Sequence, residues 1–485
     1  MSKHTETTYA TVPLPAGFPD DVALPKFVIE LGQRFDDAGY ELALVGGPVR
    51  DMFLGSNVTD LDFTTDAKPE AIQQILTGWA HAQWDIGAAF GTIGARYGDW
   101  IVEITTYRDE KYDPDSRKPE VVFGTDLVED LRRRDFTVNA MALRLPDFEL
   151  IDPFGGLKAL VSGVLETPGT PQQSFSDDPL RMMRAARFAA QLGVTVSPDV
   201  AEAMKDMGSR IVIISAERIR EELVKLMIAP KPRRGLELLV ASGIADFVLP
   251  ELPALRDAQD DAHRHKDVYE HSLQVMENAV DHEADYFAAP NFVLRFAALM
   301  HDIGKPKTRR FEAGGKVSFR HHDVVGAKMV AKRMRELRFD KDTTKAVARL
   351  VELHMRFYGY GDGEWSDSAV RRYVTDAGDL LKHLHALTRS DVTTRNKRKA
   401  RRLAAAYDDL EARIDQLAKE EELAAIRPDL DGKQIMEILG IKPGPLVGRA
   451  YKYLLDRRLD EGPSDFEASK QALLDWWAEQ PEAQE

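Results

Sequence analysis

The spacing of apolar residues divides the chain into a first part of mixed strands and helices and a longer part that is helical throughout. Over residues 25–39, Phe27, Leu31 and Phe35 recur every four positions. That is the period of a helix burying one face, and Gly39 stops it. Leu44 and Val45 read as a strand end, Gly46 and Gly47 as a tight turn, and residues 49–54 as a short helix. Pro48 opens that helix, where its missing N–H is no loss. A strand carrying Asp60 and Asp62 comes next, then a helix over 68–79 with Ile72, Leu76 and Trp79 on one face. Residues 92–97 and 100–106 alternate as two strands joined by a Gly-Asp turn, with Ile101, Glu103 and Thr105 on one side. The polar stretch 107–123 is expected as a loop. Residues 131–142 are expected as a helix, which would set Asp135 and Asn139 on one side. Further on, 175–192 is a helix with Asp178 as its cap and Pro179 in its first turn. Ser215 caps another, a helix pair surrounds Gly243, and helical sequence continues through Trp476 and Trp477.

Chemistry concentrates in residues 44–65, LVGGPVRDMFLGSNVTDLDFTT. The helix after the glycines points its N-terminal amides back at them, an arrangement that suits an anion. Asp60 and Asp62 lie two apart on a strand and face the same way. Two converging carboxylates repel unless a divalent cation separates them, and Mg²⁺ prefers oxygen donors. A lone Gly-Gly is usually an ordinary turn, and two acids at a strand end are usually solvated. Combined in one strand–turn–helix–strand unit, they point to nucleotidyl transfer.

Two further constellations carry chemistry. Arg181, Arg184 and Arg187 repeat every three residues on the helix that Asp178 caps. A carboxylate only accepts hydrogen bonds and a guanidinium only donates them. Cytosine and adenine both present an amino donor beside a ring-nitrogen acceptor, whereas uracil and guanine present carbonyls there. An Asp178/Arg181 pair therefore admits C and A without a template. His271, the doublet His301-Asp302 and Asp391 are separated by helical sequence, the doublet continuing as Ile-Gly-Lys-Pro after an apolar helix. Imidazoles with carboxylates make a Mg²⁺ or transition-metal site, which activates water against a phosphate ester. His321, His322 and His354 are expected to orient that phosphate, with a structural role as the alternative for His354. The basic run at 395–402, RNKRKARR, reads either as an exposed helix face or as a contact with nucleic-acid phosphates.

Composition narrows this picture. At 485 residues the chain is too long for one core, and 44% hydrophobic residues make it globular. No stretch approaches the roughly 20 apolar residues of a membrane span, and the N-terminus lacks the apolar run of a secretory signal. The absence of cysteine excludes disulfides and thiolate zinc sites and fits a cytoplasmic protein. A net charge of −15 argues against nucleic-acid binding by the whole surface, so an RNA partner needs a local basic patch.

The strings GGPVRD, DLDFTT, RRDFTVNA and DDPLR resemble the tRNA CCA-adding enzymes and bacterial poly(A) polymerases of the polymerase-β-like nucleotidyltransferase superfamily. The resemblance implies an α/β polymerase-β-like nucleotidyltransferase head followed by an all-α neck, an HD domain and a helical tail. The corresponding boundaries are 1–24 for an N-terminal extension, 25–165 for the head, 166–255 for the neck, 256–405 for the HD domain and 406–485 for the tail. It implies Gly46, Gly47 and Arg50 at the nucleotide and Glu103 as a third catalytic carboxylate beside Asp60 and Asp62. Arg134 would contact the triphosphate and Asp135 the sugar hydroxyls. Asp178 and Arg181 would read the base, with Arg184 and Arg187 near the phosphates. The family writes the base-reading motif Glu-Asp-x-x-Arg, and here Asp177 replaces its glutamate. Glu217-Arg218-Ile219 resembles an element that supports the base-reading helix. Arg108, Glu110, Tyr112, Arg117 and Pro119 look like the flexible loop of full CCA-adding enzymes. The histidine motifs resemble the HD phosphohydrolases, with His271, His301, Asp302 and Asp391 holding a second divalent metal. The implied activity adds CCA to the tRNA 3′ end from CTP and ATP with Mg²⁺, in the cytoplasm. The alternatives are a poly(A) polymerase, an HD phosphohydrolase with a vestigial head, and a non-catalytic RNA-binding protein.

Overall fold

The computed structural model describes residues 9–13, 21–56, 58, 61–85, 91–111, 120–258, 267–312, 316–357, 365–394, 396–421 and 426–481. The chain divides into two compact units, residues 1–222 with 234–247 and residues 223–233 with 248–485.

The first unit starts with strands β1 (Tyr9–Pro13) and β2 (Asp21–Pro25), helix α1 (Lys26–Asp37), β3 (Leu42–Val45), α2 (Gly47–Phe53), β4 (Leu61–Thr65) and α3 (Pro69–Leu76). It continues through β5 (Ala82–Trp84), β6 (Thr92–Tyr97), β7 (Trp100–Thr106), β8 (Arg108–Lys111), β9 (Glu120–Phe123), α4 (Leu127–Arg132), β10 (Ala142–Leu145) and β11 (Glu149–Ile151). Seven strands form one sheet in the order β11-β10-β3-β4-β7-β6-β5. Its pairs are antiparallel except β4 with β7, where Asp62 is in register with Glu103. Phe27, Leu31 and Phe35 of α1 are buried with Leu42, Leu44, Phe63, Ile93, Val102 and Ile104 in one core. The apolar period of residues 25–39 is thus the core face of a real helix, and Gly39 ends it at φ 78°.

Two expectations fail here. Residues 131–142 are not a helix: α4 stops at Arg132, Thr137–Asn139 make one 3₁₀ turn, and β10 starts at Ala142. The Asp135 carboxylate accepts the Phe136 amide at 2.8 Å, a local bond that competes with helix, and β10 gains a place between β3 and β11. The stretch 107–123 is not simply a loop either, because β8 pairs with β9 from Arg108↔Phe123 to Lys111↔Glu120. Tyr112, Arg117 and Pro119 lie outside the described residues, as does Asp60.

Beyond the sheet, α5 (Gly156–Ser162) precedes a short parallel pair, β12 (Val164–Leu165) with β13 (Thr195–Val196). Helices α6 (Pro171–Asp177) and α7 (Leu180–Leu192) are separated at Asp178, whose extended backbone is what the following Pro179 favours. Met182, Met183, Ala185, Ala186, Phe188 and Ala189 of α7 are buried. Helix α8 (Pro198–Met207) follows, then α9 (Ala216–Met227), which crosses between the units, α10 (Pro232–Ala241) and α11 (Ala245–Val248). Gly243 turns the chain between the last two at φ 76°.

The second unit is helical: α12 (Val268–His282), α13 (Phe292–Met300), α14 (Lys305–Thr308), α15 (His322–Glu336), α16 (Lys341–Leu353), α17 (Asp367–Ala377), α18 (Leu381–Ser390) and α19 (Lys397–Glu421). One hairpin, β14 (Arg310–Glu312) with β15 (Lys316–Ser318), interrupts them. Arg295 on α13 is buried, and it is paired as a buried charge must be. It bonds Glu283 and donates to the carbonyls of Met227 and Ala229 at 2.8 and 2.7 Å. The C-terminal helices α20 (Gly432–Leu439), α21 (Pro445–Glu461) and α22 (Phe466–Ala478) enclose Leu430, Ile435, Ala450, Leu454 and Leu473. A capping box of Asp431 with Gln434 opens α20, and Gly440 closes it. Among the described residues no helix is long and apolar enough to cross a membrane.

Candidate functional site

In the first unit, a cleft of about 480 Å³ opens over the parallel β4–β7 pair. Asp62 and Glu103 line it, in register on neighbouring strands, together with Arg134, Asp178 and Arg181. Carboxylates at its floor and guanidinium groups at its wall suit a metal–triphosphate. The oxygen-only donor set fits Mg²⁺. Gly46 begins α2 at φ 75°, and a Cβ there would come within 2.9 Å of the Arg134 guanidinium. Glycine therefore lets Arg134 lie over the turn.

The pair Asp178 and Arg181 is held by neighbours rather than by itself. Asp178 caps α7 through the Leu180 amide at 3.0 Å and takes Arg218 at 2.7 Å. Arg181 donates to Ser174 Oγ at 2.9 Å and to the Arg133 carbonyl at 2.6 Å. The element beginning at Glu217 thus reaches Asp178 through Arg218.

Asp135, Arg184, Arg187 and Arg50 lie in a polar network beside this cleft. Arg50 donates to Asn139 at 2.6 Å, Asn139 to Asp135 at 2.9 Å, and Arg184 to Asp135 at 2.6 Å. Arg187 pairs with the buried Glu222 at 2.9 Å and stacks on Phe188. Burial opposes the Asp135 charge, but Arg184 and Asn139 outweigh it and hold the carboxyl below its usual range. Asp135 and Asn139 do meet, through a turn and not along a helix.

Sequence reasoning passed over Asp130, which accepts from Thr64 Oγ1 and the Arg108 amide at 3.3 Å and pairs with Arg134 at 3.5 Å. The readable signal was its position four residues before Arg134 at the cleft-facing end of α4.

The second unit brings His271, His301, Asp302 and Asp391 together. His271 Nε2 is 3.0 Å from Asp391 Oδ1, and His301 Nε2 is 3.2 Å from Asp302 Oδ2. His322 and His354 join this group through Asp302 Oδ1, while His321 is exposed at φ 62°. Burial pushes His354 down to about 4. Burial also opposes the Asp302 charge, yet His301 and Lys305 hold that carboxyl well below its usual range. The donors form two groups, His271–His301–Asp391 and Asp302–His322–His354, each with ligand atoms within 4.8 Å of one another. Imidazole with carboxylate fits a first-row transition metal better than Mg²⁺.

Of the basic run, Lys397, Arg398, Lys399, Arg401 and Arg402 are exposed in the first turns of α19. Cations at a helix N-terminus oppose its dipole, so helix stability does not account for them.

Comparison with known proteins gives three consecutive family matches. They are the poly A polymerase head domain over residues 42–166, the probable RNA- and SrmB-binding site of polymerase A over 193–255, and the HD domain over 268–418. An A-adding tRNA nucleotidyltransferase of Deinococcus radiodurans is 33% identical over 445 residues, 90% of this chain and 96% of that one. A CCA-adding enzyme of a Geobacillus strain is 39% identical over 230 residues. That match spans about half of each chain, 47% of this one and 55% of the other. Among solved structures, the Bacillus stearothermophilus CCA-adding enzyme in complex with CTP superimposes with a TM-score of 0.67 at 23% identity, covering 93% of this chain and 98% of that one. The fold is therefore the mixed-sheet polymerase-β-like head followed along the chain by helical regions.

Proposed function

Because this chain belongs to the tRNA nucleotidyltransferase/poly(A) polymerase family, we propose that it extends the 3′ end of tRNA with C, C and A from CTP and ATP, without a nucleic-acid template. The register of Asp62 with Glu103 at the floor of the cleft, facing Arg134, Asp178 and Arg181, carries this reading. Asp62 and Glu103, with Asp60 of the sequence pair, would hold Mg²⁺. When bound, that ion acidifies the attacking hydroxyl and stabilises the leaving pyrophosphate. The tRNA 3′-oxygen forms a bond to the α-phosphorus as the α–β bridging bond breaks. Arg134 neutralises the triphosphate over the Gly46 turn. Each Asp178 oxygen has two lone pairs, so the carboxylate takes a base amino group while keeping Arg218. Arg181 donates to the ring nitrogen beside that amino group. Arg50, Asp135, Arg184 and Arg187 bear on the ribose and phosphates from beside the cleft. The exposed start of α19 is a natural contact for the tRNA backbone. The HD part acts as a metal-dependent phosphate-ester hydrolase through His271, His301, Asp302 and Asp391. Absence of cysteine supports a cytoplasmic setting.

One observation favours a second reading. The relative aligned over nearly its whole length is an A-adding enzyme, whose name describes only the last step. Incubation with tRNAs lacking the triplet, or ending in C or CC, decides between them. CTP uptake on the bare tRNA, followed by one A, is the result expected. Uptake of ATP alone on the CC-ending tRNA would establish the second reading, and long A-tails without CTP uptake would make the protein a poly(A) polymerase.

A further inference from the structure

The stretch 305–320 carries six lysines and arginines against a single acid, Glu312, in a chain whose net charge is −15. Its centre is the hairpin of β14 and β15, where Phe311 stands opposite Val317. Phe311 is 68% exposed, more than any other aromatic side chain among the described residues. The Arg309 guanidinium lies over its ring, 4.9 Å from the centroid. We propose that this hairpin is a platform for unpaired RNA, on which a base stacks against Phe311 and Arg309 while Lys307, Arg310 and Arg320 meet the phosphates. The proposal goes beyond the reading above, which places RNA at the cleft and at the start of α19.

Side chains alternate between the two faces of a strand. Phe311 and Val317 therefore share one face, which Arg309 caps, while Arg310, Glu312 and Ser318 share the other. Glu312 is occupied there: it accepts from Ser318 Oγ at 2.8 Å and pairs with Arg320 at 3.6 Å. Arg320 is exposed and keeps further N–H donors. Lys307 and Arg310 are exposed too, and among the described residues no acid pairs with either. Both feet of the hairpin are fixed. At one, Lys305 of α14 donates to Asp302 at 2.6 Å. At the other, the Phe319 ring lies 5.8 Å from Lys305 Nζ, and the Phe319 carbonyl lies 2.8 Å from His322 Nδ1. A platform anchored on both sides loses little freedom when it binds. Two strands of three residues bury no core of their own, so packing of the hairpin does not explain an aromatic ring set in water. Every nucleic-acid base has a π face, and an arginine beside the ring adds a cation–π contribution. Clustered Lys and Arg neutralise the phosphates. In a duplex the base faces are covered by their neighbours, so a lone ring selects an unpaired strand. An acidic protein surface would use the charges and leave the ring in water. A membrane surface needs a broader apolar face than one phenylalanine and one valine.

The test uses the full chain and a short unpaired oligoribonucleotide containing 4-thiouridine, cross-linked by near-ultraviolet light at increasing probe concentration and read by peptide mass spectrometry. An adduct is expected within residues 309–320, whatever adducts form on the head. Phe311→Ala should raise the probe concentration for half-maximal yield of that adduct about 10- to 100-fold, the loss of one base–aromatic stack. Phe311→Trp should restore the wild-type midpoint, and Lys307→Glu/Arg310→Glu should lower its salt slope. Duplex RNA of the same length should compete poorly. No adduct on the hairpin, an unchanged midpoint in Phe311→Ala, or equal competition by duplex overturns the proposal. Sedimentation of the wild type but not Phe311→Ala with phosphatidylserine vesicles, without a hairpin adduct, would assign the ring to a membrane instead. Because Phe311 is exposed, its variants should melt cooperatively at the wild-type temperature. Should Phe311→Ala melt early, the wild-type adduct and its competition by duplex decide. An adduct without incorporation of CTP and ATP sinks the CCA reading and leaves the platform standing. Incorporation without the adduct does the reverse.

Discussion

The head cleft and the HD centre both gather carboxylates, yet they are built in opposite ways. Asp62 and Glu103 stand on adjacent strands in an open polar cleft that Arg108, Arg133, Arg134 and Arg181 also line. His301, Asp302 and His354 are buried, and the Nε2 atoms of the two histidines lie 3.2 and 3.9 Å from the Asp302 carboxylate. An open oxygen site exchanges a hard ion with each nucleotide. A buried imidazole site holds its metal as part of the structure. The difference teaches that one chain carries two carboxylate clusters that differ in donor type and burial.

Breaking the first side of this contrast should have the largest effect. Asp62→Ala should lower nucleotide incorporation by about 10³-fold or more, the several kcal/mol that metal-held charge stabilisation supplies. Metal content of the HD centre should stay unchanged, as measured by elemental analysis. A joint loss would show that the two sites are not independent. On the other side, Asp302→Ala should abolish metal retention by the second unit while incorporation survives within about threefold, as for sites that share no partners.

Selectivity should move less. Arg181→Ala removes a donor of the charged kind, worth about 1.5–3 kcal/mol. The preference for CTP over UTP in single-nucleotide incorporation should therefore fall about 10- to 100-fold. An unchanged preference would take base reading away from α7.

The smallest expected effect lies at the support of α18, whose end carries Asp391. Glu411 accepts from Tyr286 at 3.0 Å and Arg389 at 3.1 Å and pairs with His385 at 3.2 Å. Although burial opposes its charge, His385 and Arg389 draw the carboxyl from 4.5 down to about 2. A depressed carboxyl stabilises the fold fully above its unfolded value and loses that contribution as the folded value is approached. Wild-type melting should therefore fall more steeply than that of Glu411→Gln between pH 4.5 and about 2. At neutral pH the variant should be weaker by about 1 kcal/mol, since the group is partly exposed and screened.

Much of the head was legible because its signals are local. The α1 period, the Gly46 turn, the paired β6 and β7 and the alternation that puts Glu103 on one face with Ile101 and Thr105 all depend on residues a few positions apart, whereas the place of Glu103 beside Asp62 was implied by the family resemblance and rests on a long-range parallel pairing. The stretch 131–142 misled for a matching reason: a string with helical spacing was claimed by a sheet partner, β3, which lies nearly a hundred positions earlier. The strands flanking the expected loop at 107–123 escaped notice because charged residues hid their pairing.

The sequence by itself determined which donors exist: acids two apart for a strand, arginines three apart for a helix, and an HD doublet at the end of an apolar run. Only the tertiary structure decided who shares whom. Folding alone decided that His322 and His354 meet the far oxygen of Asp302 and that Arg218 meets Asp178. Identity is carried by covalent order, whereas direction of a lone pair depends on backbone carbonyls and packed helices that no short window contains.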